Sequence, residues 1–132
     1  MGKLLKENVF DNFHMRKIEI STDFKIEISE LSKAEGARAN YWAAIRPLIL
    51  HIIKTGAKPS LIKIIFSLPD TASIHTNAAA LFLNLSYEND EVSFTTATSQ
   101  REFEMDKTLD TCWDEWVRNF FCNKDIAVKD RL

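Results

Sequence analysis

Few of the residues that announce chemistry are present. Glycine occurs three times in 132 residues, and there is no glycine-rich turn to cradle a phosphate and no GxSxG stretch to present a nucleophile. The three histidines, His14, His51 and His75, are far apart in the chain. No HExxH or His-x3-His spacing occurs, and neither cysteine has a CxxC partner, so a metal site would have to be assembled from distant segments. Cys112 and Cys122 lie ten residues apart in one predicted helix, which sets their backbones roughly 15 Å apart, too far for a disulfide. A reducing, cytoplasmic setting is the expectation. No run reaches the roughly 18 apolar residues that span a bilayer. "MGKLLKENVFDNF" lacks the apolar core and cleavage site of a secretory leader. Gly2 is followed by Lys6 where a myristoylation signal wants Ser or Thr. Charge of one sign is also missing. A net charge of −2 and a pI near 5.9 lower the expectation of nucleic-acid binding, which rests on a basic field.

What is present is core material. With 45% hydrophobic and 27% charged residues, the chain reads as one globular domain over 1–132, with 126–132 as a frayed tail. At this length, roughly 65–70% of the unfolded surface can be buried without metal or disulfide. In "DFKIEIS" (23–29), Phe24, Ile26 and Ile28 alternate with polar residues, the pattern of a half-buried strand. The preceding run 10–21 is a second strand, turning back at Ser21-Thr22-Asp23. Its apolar residues change parity between Met15 and Ile18, which predicts a bulge near Arg16. "ELSKAEGARAN" (30–40) is a surface connection. A helix follows, with Asn40 as N-cap, Gly56 as stop, and a buried stripe of Tyr41, Ile45, Leu48, Ile49 and Ile52. "SLIKIIFSLP" (60–69) reads as a central strand covered on both faces, and 70–77 as a loop.

The stretch 79–103 divides at Glu88-Asn89-Asp90 into two strands. Leu81, Leu83, Leu85 and Tyr87 form one face of the first; Val92 and Phe94 begin the buried face of the second, and "TTATSQ" continues it with a wet face. From Asp106, which can cap the first turn, a helix carries a stripe of Leu109, Cys112, Trp113, Trp116, Val117, Phe120 and Phe121. The order β-β-α-β-β-β-α has hairpins where βαβ crossovers would be, so the class is α+β. The expected architecture is a largely antiparallel sheet of about five strands with two amphipathic helices packed on one face.

Arg46 stands beside Pro47 inside an apolar helix-like run. Pro47 is a shape device, either kinking the helix or sitting in its first turn if the helix starts near Arg46. Arg46 is expected to make a structural ion pair, with a bidentate contact to an anionic ligand as the competing role. Asp106, Asp110 and Asp114 recur every four residues with Glu115 adjoining, the mark of a solvated helix side on which Arg118 can pair with Asp114. A cation site or an acid/base pair is the sharper reading of the same row. Cys112, on the apolar stripe, is expected to act as a small apolar side chain. "TTATSQR" (95–101) offers hydroxyls and Arg101, so Arg46, Thr96, Thr98, Arg101 and His51 are the candidate ligand-binding residues, with no catalytic residue, metal or cofactor expected.

"KLLKENVFDNF", "YWAAIRPLILHIIKTGAKPSLIKIIFSL" and "LFLNLSYENDEVSFTTATSQREFEMDKTLDTCWDEWVRNFF" together resemble a family of uncharacterised proteins of clostridia and related Firmicutes, domain of unknown function 5721. Trp42 with Arg46-Pro47, Thr95-Thr96 with Thr98-Ser99, and Asp106-Lys107 leading to Trp113-Asp114-Glu115 carry the likeness. The resemblance implies a small bacterial or phage-associated protein of the cytoplasm, and no activity or catalytic residue comes with it. It also implies a further segment ahead of "KLL" in other members, whose loss would leave a sheet edge less protected, and a reduced loop at 30–40. The expected function is a non-catalytic binding or protein-interaction module whose partner is another protein or a second copy, through an exposed strand edge or the last helix. A small enzyme or anionic-ligand binder with an Arg/Thr-lined cleft is the alternative, and a nucleic-acid-binding accessory protein the weaker one.

Overall fold

The computed structural model describes residues 7–29, 41–56, 58–124 and 126. Strands β1 (His14–Ser21), β2 (Lys25–Ser29), β3 (Leu61–Ser67), β4 (Ala78–Glu88) and β5 (Glu91–Gln100) form one sheet in the order β2-β1-β3-β4-β5. All four pairings are antiparallel. Helices α1 (Trp42–Thr55) and α2 (Thr108–Asn123) complete the α+β fold, with a short 3-10 turn at Thr71–Ser73. The element order and the one-sided packing follow the sequence reading.

The register explains which face is covered. Ile18 opposes Ile64, which opposes Leu85, which opposes Phe94; Ile20 opposes Ile62; Phe66 opposes Leu83. These residues line one side of the pleat, and all but half-buried Phe94 are buried. The other side carries Lys17, Glu19, Lys63, Asn84, Ser86 and Thr95. The parity change in β1 is the predicted bulge, a register shift between Met15 and Lys17. It leaves Met15 and Ile18 both buried.

Several expectations need correction. The first strand begins at His14 and not at residue 10. Residues 7–13 form a turn, with Asp11 N–H to the Asn8 carbonyl and Phe13 N–H to the Phe10 carbonyl, and this turn tucks Phe10 and Phe13 into the core. Helix α1 starts at Trp42, whose N–H reaches the Phe13 carbonyl, with Tyr41 as N-cap; Asn40 and the connection 30–40 lie outside the described residues. Trp42 is buried against Phe66, at 5.3 Å between ring centroids. That bulk sets the roll of the helix, so the buried side is Trp42 and Ile49, and Leu48 is left 47% exposed. Strand β3 is central, yet Lys63 is exposed and Ile65 only half-buried, so it is not covered on both faces by the described residues. Finally, α2 begins at Thr108 with Lys107 as its N-cap, two residues later than Asp106, while Asp106 does take the first-turn N–H of Thr108 as expected.

Pro47 lies in the interior of α1, not in its first turn. It removes the donor that Ala43 would otherwise receive. Both residues are exposed, so water can satisfy the Ala43 carbonyl. At the other end of the chain Ile126 is docked: it packs on the core and its N–H reaches the Phe121 carbonyl at 2.9 Å.

The β4–β5 hairpin closes through Asn89 and Asp90, with φ of 54° and 59° and Glu88 opposite Glu91. Positive φ at both loop residues is the type I′ turn, whose twist matches that of the strands. Asn and Asp tolerate this region because their short polar side chains bond locally. Asn89→Ala is expected to destabilise the protein by about 1–2 kcal/mol, read as a lower urea midpoint with an unchanged slope.

Candidate functional site

The hairpin turn decides which way every backbone group of β5 points. In a two-residue hairpin the flanking pair, Glu88 and Glu91, exchanges both hydrogen bonds, and bonded pairs then recur at every second residue. Ser93, Thr95 and Ala97 therefore direct N–H and C=O at β4. Val92, Phe94, Thr96 and Thr98 direct theirs away from the sheet. The opposite side of β4 agrees with this alternation, since the odd-numbered Leu81 carbonyl receives a donor from Leu68, at the end of β3. Among the described residues β5 is the last strand in the order, so the outward groups form a sheet edge there.

The side chains of those same residues face α2. Phe94 meets Phe121 at 4.7 Å between ring centroids. The Thr96 hydroxyl donates to Asp114, and the Thr98 hydroxyl to Asp110. Two residues of strand advance about 6.7 Å and four residues of helix about 6.0 Å, so alternate threonines match every fourth residue of an antiparallel helix. The acidic row is thus not simply a solvated side: Asp110 and Asp114 are half-buried hydrogen-bond acceptors. Beneath them the Trp113 indole N–H donates to the Phe82 carbonyl at 2.9 Å.

The structure brings Thr96 and Thr98 together and engages the other candidates elsewhere. Arg46 forms a fork on Asp11, Nε to Oδ1 at 2.9 Å and Nη2 to Oδ2 at 3.0 Å. This is the ion pair expected of it. Arg101 Nε donates to the Ala78 carbonyl at 3.1 Å. His51 is exposed on α1. His75 Nδ1 accepts the Asn77 N–H, and His14 packs edge-on against Tyr41. Cys112 is half-buried and Cys122 exposed, both as free thiols. Among the described residues no three His, Cys, Asp or Glu side chains gather as a metal ion would require, and no helix is long and apolar enough to cross a membrane.

Sequence reasoning missed Asp11 as the partner of Arg46, and it missed the threonine–aspartate ladder. The ladder had a visible signal, the two-residue threonine period beside the four-residue aspartate period. It also missed the loop after β5. There Asn77 brackets Glu102 through the Glu102 N–H to Oδ1 and its own Nδ2 to the Glu102 carbonyl, while Gln100 does the same for Glu104. Phe103 and Met105 are 85% and 86% exposed on this braced loop.

Residues 3–129 match a family of unknown function, DUF5721. The chain belongs to that family. The same comparison with curated proteins and with solved structures gives no match. For a DUF5721 member, the geometry just described is therefore the ground on which a function can be argued.

Two charge clusters test the electrostatics. The Lys58 ammonium and the Tyr87 hydroxyl both hydrogen-bond Asp90, each at 2.8 Å, at the hairpin tip. These bonds, Lys58 first, hold the Asp90 carboxyl below its ordinary range; the Asp90 bond in turn raises Lys58 and Tyr87. A lowered carboxylate stabilises the fold above its unfolded-state value, and that contribution is lost as pH falls through the folded-state value. In Lys58→Ala the Asp90 titration followed by NMR should move back up. Arg46→Lys keeps the charge and loses the fork; a loss of about 1–2 kcal/mol in denaturant unfolding is expected.

Proposed function

We propose that this chain is a non-catalytic protein-interaction module that receives an extended segment of a partner along the outer side of β5. One observation carries the reading. From Val92 to Gln100, β5 has nine residues without a charge, proline or glycine, its bulge lies across on β4 between Ala78 and Ala80, and its outward N–H and C=O groups are those of Val92, Phe94, Thr96 and Thr98. Edge strands normally carry a device against pairing, such as a lysine, a proline, a bulge or shortness. The opposite edge has two of these: β2 is five residues long and carries Lys25 and Glu27. An unguarded edge is the template used in strand addition, where main-chain bonds supply affinity.

The Arg/Thr cleft draws less support, because Arg46, Thr96, Thr98 and Arg101 each already hold a partner within the chain. The family resemblance and the two free thiols support a bacterial, clostridial origin and the cytoplasm as the setting.

Amide exchange tests the edge directly. Ten-residue peptides of alternating Val-Lys, alternating Val-Glu, and the 91–100 sequence itself serve as probes. At least one should slow exchange at Val92, Phe94, Thr96 and Thr98 tenfold or more. Val92→Pro removes an outward donor without costing β4 a hydrogen bond and leaves the threonine–aspartate ladder intact, so it should keep the fold by circular dichroism and weaken that protection tenfold or more. Unchanged exchange with all three peptides, at a concentration where the chain is monomeric, sinks the proposal.

A further inference from the structure

The geometry points to a second copy of this chain as the occupant of the edge: two β5 strands pair antiparallel about a two-fold axis through Thr95, setting Asp114 of each copy across from Arg118 of the other. This rests on the strand-addition reading and names the partner within it. Residues opposite one another in a ladder must face the same side of the sheet, so even residues pair with even ones and the axis passes through a residue. Centred on Thr95, Phe94 meets the partner's Thr96 and Val92 meets the partner's Thr98. All four outward residues are then used, in about eight hydrogen bonds.

The helices select this register. Since Asp110 bonds Thr98 and Asp114 bonds Thr96, α2 runs antiparallel to β5. Arg118, one turn further, comes level with Phe94 by the same matching of rises, and Phe121, less than one turn beyond it, meets Phe94. It is exposed on the same side of the helix as Asp110 and Asp114. With Thr96 opposite the partner's Phe94, Asp114 faces the partner's Arg118, and the symmetry repeats the pair. Moving the axis to Thr96 would set the two Asp114 carboxylates against each other. On the open face, Thr95 meets its own copy, Ser93 meets the partner's Ala97, and Glu91 meets the partner's Ser99, so no like charges oppose. An isologous contact of this kind closes as a dimer.

Sedimentation equilibrium should show a monomer–dimer equilibrium for the intact chain. Asp114→Arg alone and Arg118→Asp alone each place like charges across the axis, and each should raise the dissociation constant tenfold or more. Mixing the two variants should restore association, because the arginine introduced in one copy then faces the aspartate introduced in the other. A second measurement does not depend on those helices. In a Cys122→Ser background, Thr95→Cys should oxidise to a covalent dimer and Ala97→Cys should not, since only residue 95 meets its own copy. Folded variants that fail to reassociate on mixing, or equal cross-linking at 95 and 97, overturn the register. A strictly monomeric chain whose β5 amides are still protected by the Val-Lys or Val-Glu peptides overturns self-pairing and leaves the edge reading standing. A monomer whose edge responds to no peptide removes both.

Discussion

Everything in this fold hangs on the ring of Phe66. It sits on the covered face of the central strand, fully buried, and three rings from two separate segments close on it: Phe10 stacks at 5.2 Å, Trp42 meets it edge-on at 5.3 Å, and Phe13 lies at 5.8 Å. Through Phe13 and Phe10 the contact passes to Trp116 and Phe120 of α2. A turn before β1, the first turn of α1 and the middle of α2 are thereby fixed to one another through a single strand. Each aromatic contact adds about 0.5–1.5 kcal/mol beyond its burial. Their larger effect is geometric: they set the roll of both helices, and the roll of α2 decides that Asp110 and Asp114 stand above β5.

Covering one face so thoroughly leaves the two ends of the sheet unlike each other. Around β1 and β2 the open face is charged, with Lys25 bonded to Glu19 at 2.8 Å and to Glu27 at 3.1 Å. Lys25 and Glu27 belong to the edge strand itself, where a neighbouring chain would have to strip water from them. Toward β5 the open face becomes Asn84, Ser86, Ser93, Thr95 and Ala97, groups that cost little to dehydrate when they are paired. The asymmetry is built into composition, strand by strand, and it is the reason the proposed pairing is assigned to the β5 end.

Element type and sidedness were legible because they rest on local periodicity. The period-2 run of β4 and the 3.6-period stripe of α2 are each strong enough to resist tertiary context, and the parity change around Arg16 foretold a bulge. Helix α1 was harder. Its stripe is nearly continuous in apolar residues, so the sequence admits several rolls, and the choice falls to the bulk of Trp42 seated on Phe66, a partner from another segment. The turn at 7–13 was misread for a related reason. Phe13 and Met15 share parity as strand residues would, yet Phe10 and Phe13 are separated by three, which suits a turn that drops both rings inward. The Arg46–Asp11 fork joins residues 35 positions apart, a distance across which no periodicity reports. In the ladder the period of each element is visible, and what the sequence leaves open is that the two meet across 18 and 12 positions.

The ladder also explains why side-chain chemistry is scarce where the sequence promised most of it. Hydroxyl groups on a strand beside carboxylates on a helix could have formed a polar cleft. The matching of strand and helix rise instead satisfies each threonine with one aspartate, and it spends both partners on holding α2 in place. What β5 has left to offer is its main chain, whose outward N–H and C=O groups cannot be satisfied by the residues beneath them. Side chains committed inward and backbone groups directed outward are what the proposed pairing requires, since strand addition reads extended conformation more than any particular functional group. The outward-facing main chain of β5 and the engaged threonine side chains are two results of one packing arrangement.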